Sequence, residues 1–151
     1  YQNLKQEIDR WVGEINGRFS NAGWTPIHYA YRSLDRTQLI GRYHACELAL
    51  ITPLRDGMNL VAKEYVTSCT DDRGVLILSE FAGAAEQLGE HAVSVNPFDV
   101  EKTADLINYA LNMPIDERRD RLHRLREIVQ HNDVHHWVRS IFEAADLRIE
   151  T

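Results

Sequence analysis

Asp56 and Glu64 stand eight residues apart, with Gly57–Met58–Asn59–Leu60 directly after the first of them. A carboxylate, then a glycine, then a second carboxylate further on suit one long ligand of mixed chemistry. Asp56 would meet a polyhydroxyl group and Glu64 a ribose, since ionised carboxylates accept hydrogen bonds from hydroxyls. A pyrophosphate would lie between them on backbone N–H groups, because a helix start leaves those donors unpaired and adds a partial positive charge. A nucleotide-sugar has that shape.

The elements that must position these residues are read from the run around them. Glu47 to Thr52 is a short, mostly apolar stretch of the kind that forms a buried parallel strand. Pro53–Leu54–Arg55–Asp56–Gly57 is a tight turn, with proline and glycine as breakers. From Met58 the apolar residues fall at Val61, Ala62, Tyr65, Val66 and Cys69, the spacing of a helix. Glu64 then shares a face with Leu60 and lies roughly 10 Å along the axis from Gly57. The turn sits at the carboxyl end of a strand, where ligands bind in open parallel sheets, and Gly57 allows close approach to the backbone. A plainer role fits the same residues: Asp56 as a helix cap and Glu64 as a solvated helix residue. Arg55 suits either a phosphate or an acidic surface neighbour.

Around this unit, helices and strands alternate, which predicts an α/β fold with a parallel sheet. Leu4, Ile8, Trp11, Val12, Ile15 and Phe19 make a helical stripe ending near Gly17. Thr25 to Tyr31 is a short strand candidate. Asp35 and Gln38 are spaced as a capping box for a helix to about Ala45. After the polar turn Thr70–Gly74, Val75–Ser79 reads as the central strand. Gly83 to Gln87 opens a further helix, a second anion-facing start; Phe81–Ala82–Gly83–Ala84 suits a pocket wall or close helix–strand packing equally. His91–Val95 is the last strand. Asp99, or a neighbour, caps a helix through Ala104, Ile107, Ala110 and Leu111. Pro114 starts another, with Ile115, Leu122, Leu125 and Val129 on one face. Asp133 caps the last, with Trp137, Val138, Ile141 and Phe142 expected buried.

Composition bounds the function. The 151 residues suffice for one domain with a core, and 44% hydrophobic with 26% charged residues is an ordinary globular balance. A net charge of −6 argues against nucleic-acid binding. No apolar run approaches a membrane span, so no membrane insertion is expected. Cys46 and Cys69 lack C-x-x-C spacing and read as small core residues in a reduced, cytoplasmic setting. His131 and His135 are four apart, as on one helix, with His136 adjacent, but no H-E-x-x-H pattern accompanies them. No metal site is expected, and a packed or solvated face is the reading taken.

The run Thr52–Tyr65, TPLRDGMNLVAKEY, resembles the donor-site motif of the trehalose-6-phosphate synthase family. Ile15–Phe19, Gly23–Ile27, Leu76–Ala85, Asn132–Asp133 and His136–Trp137 resemble other segments of the same enzymes, so the likeness covers nearly the whole chain. The resemblance implies a Rossmann-like parallel sheet flanked by helices, in the C-terminal half of a two-domain GT-B glycosyltransferase. It implies transfer of glucose from UDP-glucose to glucose 6-phosphate with retention, needing no metal or cofactor. In that reading Asp56 is the catalytic-site residue that bonds donor glucose hydroxyls. Gly57 lies in the same donor-site motif. Met58, Asn59 and Leu60 present backbone N–H groups to donor phosphates and sugar. Val61 lines the pocket, Glu64 holds the ribose, and Leu39–Ile40 lies where the family contacts uracil by main chain.

The family's acceptor site, a catalytic histidine and a basic pair for the diphosphate match nothing here. A chain opening on a helix is also unusual for a doubly wound domain. A single partial C-terminal donor domain, without the N-terminal acceptor domain and inactive alone, is therefore the expectation. Glucosylglycerol-phosphate synthase shares the donor motif, so the acceptor is a phosphorylated sugar or polyol. A non-catalytic binding module of the same fold is the alternative from another class. Uncovered apolar faces and an unpaired sheet edge predict self-association as a homo-oligomer.

Overall fold

A computed structural model of the chain describes residues 2–132 and 134–144. It contains two compact units, Tyr1–Leu34 and Asp35–Thr151.

The first unit is built on helix α1, Gln2–Phe19, which runs two residues past the expected end at Gly17. Its apolar stripe is present, yet none of its residues is buried. The strand expected at Thr25–Tyr31 does not form; an isolated bridge between Asn21 and Trp24 lies just before the segment. The reason lies in Asn16. Its side-chain amide takes both main-chain groups of Ile27, donating to the carbonyl at 2.9 Å and accepting from the N–H at 3.0 Å. Those groups are satisfied without a ladder.

The second unit follows the expected alternation: α2 (Arg36–Ala45), β1 (Leu48–Ile51), α3 (Leu60–Ser68), β2 (Val75–Ser79), α4 (Ala85–Leu88), β3 (Val93–Val95), α5 (Val100–Leu111), α6 (Ile115–His131) and α7 (Val134–Ala144). The three strands are parallel in the order β1-β2-β3. Asp35 and Asp99 cap α2 and α5 as expected, accepting from the N–H groups of Gln38 and Lys102.

β2 is the central strand and is buried along its full length. Its alternating side chains feed two cores. Leu76 and Leu78 join Tyr65 and Val66 of α3, Leu88 of α4, and Leu122 and Leu125 of α6. Val75 and Ile77 join Val93 and Val95 of β3, with Ala110 of α5 and Met113. Full burial of a leucine or valine contributes roughly 1.5–3 kcal/mol, so this layering holds the carboxyl ends of the strands in place.

Several expectations are corrected. The strand expected over Glu47–Thr52 is shorter and not buried: β1 is an edge, and Leu50 is 45% exposed. The helix expected from Gly83 to Gln87 is only the four-residue α4. The apolar residues of α7 are exposed rather than buried, with Trp137 at 52% and Ile141 at 46%, because no described element covers that face. His131 ends α6 whereas His135 lies on α7, so the pair does not share a helix. The cap expected at Asp133 lies outside the described residues. Among the described residues no helix is long and apolar enough to cross a membrane.

Arg118 is the buried cation that joins the far side of the unit. Its guanidinium donates to the carbonyls of Ala110 (3.2 Å), Leu111 (2.7 Å), Met113 (3.0 Å) and Arg73 (3.3 Å). The first two are end carbonyls of α5, which lack helical partners and carry the negative end of the dipole. Replacing Arg118 by Met removes the guanidinium donors from these acceptors, of which Ala110 keeps the Met113 N–H at 3.4 Å, and should lower the unfolding free energy by about 2–4 kcal/mol. The same change at exposed Arg119 should stay within about 0.5 kcal/mol. Urea denaturation of the two variants checks the contrast.

Candidate functional site

Beyond β1 the chain does not enter a helix at Met58. It makes a turn closed by Asp56, and α3 starts at Leu60 with Asn59 as its cap. Oδ1 of Asp56 accepts the N–H groups of Met58 (3.1 Å) and Asn59 (3.0 Å), while Oδ2 accepts from Asn59 Nδ2 at 2.8 Å. Asn59 Oδ1 in turn accepts from Ala62 N at 2.9 Å. Asparagine suits this place for two reasons. It tolerates the left-handed backbone found here, φ 54°, and its side chain both accepts and donates. The helix start therefore needs Asn59 and Asp56 together, so Asp56 is not itself the cap.

The later helix start alters the geometry. The separation of roughly 10 Å assumed helical rise from Gly57; only the four steps from Leu60 to Glu64 are helical, about 6 Å. The N–H groups of Leu60 and Val61 have no partner among the described residues. Those of Met58 and Asn59 are already held by Asp56.

The turn is tied to the next strand. Asp56 forms an isolated parallel bridge with Ala82, and the Asp56 carbonyl accepts from Gly83 N at 2.8 Å. The loops after β1 and β2 thus touch backbone to backbone. A Cβ at Gly83 would lie 1.9 Å from the Gly57 carbonyl oxygen, so only glycine fits. Of the two readings left open for Phe81–Ala84, close packing holds for Gly83. Ser79 supports the same loop: it is buried, and its Oγ accepts from Phe81 N at 3.1 Å. Gly57 has open space at its Cβ position and an ordinary negative φ.

The anticipated residues divide between two sides of the α3 start. Gly57, Met58 and Leu60 line a cavity of about 680 Å³, together with Lys63, Gly83 and Trp137. Lys63 Nζ donates there to Gln87 Oε1 at 2.9 Å. Val61 and Glu64 stand exposed on α3 outside that cavity, and Ile40 is exposed on α2. Glu64 meets a residue that the sequence did not suggest: the hydroxyl of Tyr43 donates to its Oε2 at 3.2 Å. Only the tertiary contact between α2 and α3 brings these two together. Arg55 makes no ion pair among the described residues. No group of three or more His, Cys, Asp or Glu among them is placed to hold a metal ion.

The charge state of Asp56 follows from its partners. The Asn59 side-chain amide, then the backbone N–H groups of Asn59 and Met58, hold its carboxyl below the ordinary aspartate value. Burial and the hydrogen bond to Glu64 push the Tyr43 phenol up to about 12. The first stays an anion and the second a neutral donor across the physiological range.

Residues 1–146, nearly the whole chain, match the pattern of glycosyltransferase family 20. The chain belongs to that family. The family-20 chain is 45% identical over 144 residues to trehalose-6-phosphate synthase of Sodalis glossinidius, across 95% of its own length and 30% of that relative. It is also 45% identical over 145 residues to glucosylglycerol-phosphate synthase of Picosynechococcus sp., across 96% of itself and 29% of the relative. A solved structure described as trehalose-6-phosphate from E. coli bound with UDP-2-fluoro glucose matches with a TM-score of 0.92 at 38% identity, over 99% of this chain and 33% of that one. The family-20 chain thus spans about a third of the length of these proteins, and the Rossmann-like, GT-B-type fold expected from its sequence is the one found.

Two outcomes test this geometry. Gly83→Ala should destabilise the chain by about 1–3 kcal/mol in thermal unfolding, since the added Cβ must push two backbones apart. In an NMR titration, the Asp56 carboxyl should show a midpoint below 3.8, moving up towards it in Asn59→Ala. The sign is that of a depressed acid: the stabilisation is present above the unfolded midpoint and is lost as pH falls through the folded one.

Proposed function

We propose that this chain is the donor-binding part of a UDP-glucose-dependent retaining glycosyltransferase of the trehalose-6-phosphate synthase kind. The observation that carries the reading is the Asp56-closed turn leading into α3, within a chain of family 20. Glucose would pass from UDP-glucose to a phosphorylated acceptor supplied outside this chain, with no metal or cofactor required.

Lone pairs define what Asp56 can do. An ionised carboxylate offers about four acceptor positions. Two on Oδ1 and one on Oδ2 are filled by Met58 N, Asn59 N and Asn59 Nδ2, which leaves one on Oδ2 for a donor-sugar hydroxyl. Asp56 therefore orients the sugar and holds no proton to give. The departing diphosphate gathers charge as the glycosidic bond breaks. The unpaired N–H groups of Leu60 and Val61, at the positive end of α3, are fixed beforehand to stabilise it. Gly57 keeps space open beside them, and Met58 and Asn59 hold the turn that aims them. Val61 lines the nucleotide side, Glu64 takes the ribose hydroxyls, and the main chain at Ile40 meets the uracil.

The acceptor is a phosphorylated sugar or polyol, glucose 6-phosphate or glycerol 3-phosphate. The equal identities to a trehalose-6-phosphate synthase and to a glucosylglycerol-phosphate synthase support both. The chain would be a partial C-terminal domain whose partner domain binds the acceptor. A cytoplasmic protein without nucleic-acid binding fits the net charge of −6. Homo-oligomer formation fits the apolar side chains exposed at Leu50 and along α7.

Calorimetric titration with UDP and UDP-glucose tests the donor site. Asp56→Ala should weaken UDP-glucose more than UDP, because it touches the sugar. Glu64→Ala should weaken both by about tenfold, equivalent to about 1.4 kcal/mol. Undiminished binding of both ligands in both variants would place the donor elsewhere and favour a non-catalytic module.

A further inference from the structure

We propose that Tyr43 is a positioning residue for Glu64, holding its carboxylate ready for the two vicinal hydroxyls of a ribose. The inference rests on the reading that Glu64 takes those hydroxyls. It adds a residue from a different helix and the means by which it acts.

Glu64 by itself is poorly prepared for such a role. It lies exposed on α3, on a side chain with several rotatable bonds. A free carboxylate of this kind must be ordered when the ligand arrives, and that ordering weakens binding. Tyr43 supplies order beforehand. Its ring packs edge-on against Tyr65, with centroids 6.1 Å apart and planes at 79°. Tyr65 is fully buried in the core between α3 and β2. The Tyr43 carbonyl also accepts from Cys69 Sγ at 3.4 Å, which ties the end of α2 to the end of α3. The residue is therefore anchored both through its ring and through its backbone. Its hydroxyl reaches Glu64 Oε2 at 3.2 Å.

The bond uses one acceptor position of Oε2 and leaves the second there, with all of Oε1, for ligand hydroxyls. A vicinal diol can then donate one hydrogen bond to each oxygen. The raised phenol, at about 12, keeps Tyr43 a donor to the carboxylate. Ile40 lies three residues before Tyr43 on α2, so the two share a face. α2 would then bring the main-chain base contact at Ile40 and the Tyr43 hydroxyl that orders Glu64 within one turn of each other.

The test uses the intact protein with three ligands: UDP, 2′,3′-dideoxy-UDP and UDP-glucose. Tyr43→Phe keeps the ring and removes only the hydroxyl. It should weaken UDP about threefold to tenfold and leave 2′,3′-dideoxy-UDP unchanged. In the active enzyme the KM for UDP-glucose should rise by the same factor with kcat unaltered, as for lost uniform binding. In a Glu64→Gln background the further change Tyr43→Phe should cost much less than it does alone. Equal weakening of both diphosphates by Tyr43→Phe would make its role structural and overturn the proposal. Unchanged UDP binding would overturn it as well. If Glu64→Gln leaves UDP as tight as before, the ribose reading of Glu64 itself fails, and the proposal falls with it. If Glu64→Gln weakens UDP alone while Tyr43→Phe does nothing, only the positioning role fails.

Discussion

The site depends on a backbone contact between two loops. Gly83 N donates to the Asp56 carbonyl, and the Gly83 Cα lies so near the Gly57 carbonyl that a Cβ has no room. This contact adds a parallel bridge beyond the last ladder pair of β1 and β2, one residue out of their register, and ties the turn to the sheet. A helix start can hold an anion only if its N–H groups are aimed in advance. Here the aim comes from β2, the most deeply buried strand, through one hydrogen bond and one missing side chain.

Asp56 and Asn59 extend that constraint to the helix. A carboxylate and an amide occupy each other's donors and acceptors, and between them take the N–H groups of Met58, Asn59 and Ala62. The consequence is a division among otherwise similar donors. Some are spent on keeping the turn, and those of Leu60 and Val61 stay open. Satisfying part of a helix terminus internally makes the remainder a more defined binding feature, since the backbone that carries it cannot fray. The two carboxylates differ in the same way. Asp56 is locked by its own loop, whereas Glu64 stands in solvent and relies on a neighbour from α2.

The rest of the unit serves to keep these loops at one end of the sheet. α3, α4 and α6 pack on one face and α5 on the other, each through side chains that alternate along β2. Arg118 joins the end of α5 to the loop before β2, so the cation that satisfies four carbonyls also fixes where the central strand begins. The polar interior is small. Asn59, Ser79 and Arg118 are the buried polar or charged residues among those described. Two of them hold the carboxyl-end loops and the third holds the opposite side, which fits the high cost of burying an unpaired polar group.

The alternation of strand and helix, the central position of Val75–Ser79 and the caps at Asp35 and Asp99 were legible in the residues, because period, breakers and cap chemistry are local properties. So was the run from Thr52 to Tyr65, whose likeness to a donor motif pointed to the family. The same local reasoning placed the α3 start two residues early, since nothing in the spacing shows that Asn59 adopts a left-handed backbone under a bond from Asp56. It also buried β1 and α7, because an apolar pattern says which face seeks cover and not whether a neighbour supplies it. The necessity of Gly83, the carbonyls met by Arg118 and the approach of Tyr43 to Glu64 across 21 residues were decided by tertiary structure alone. Each is a distance between segments remote in the chain, and such distances exist only once the sheet has set the segments side by side.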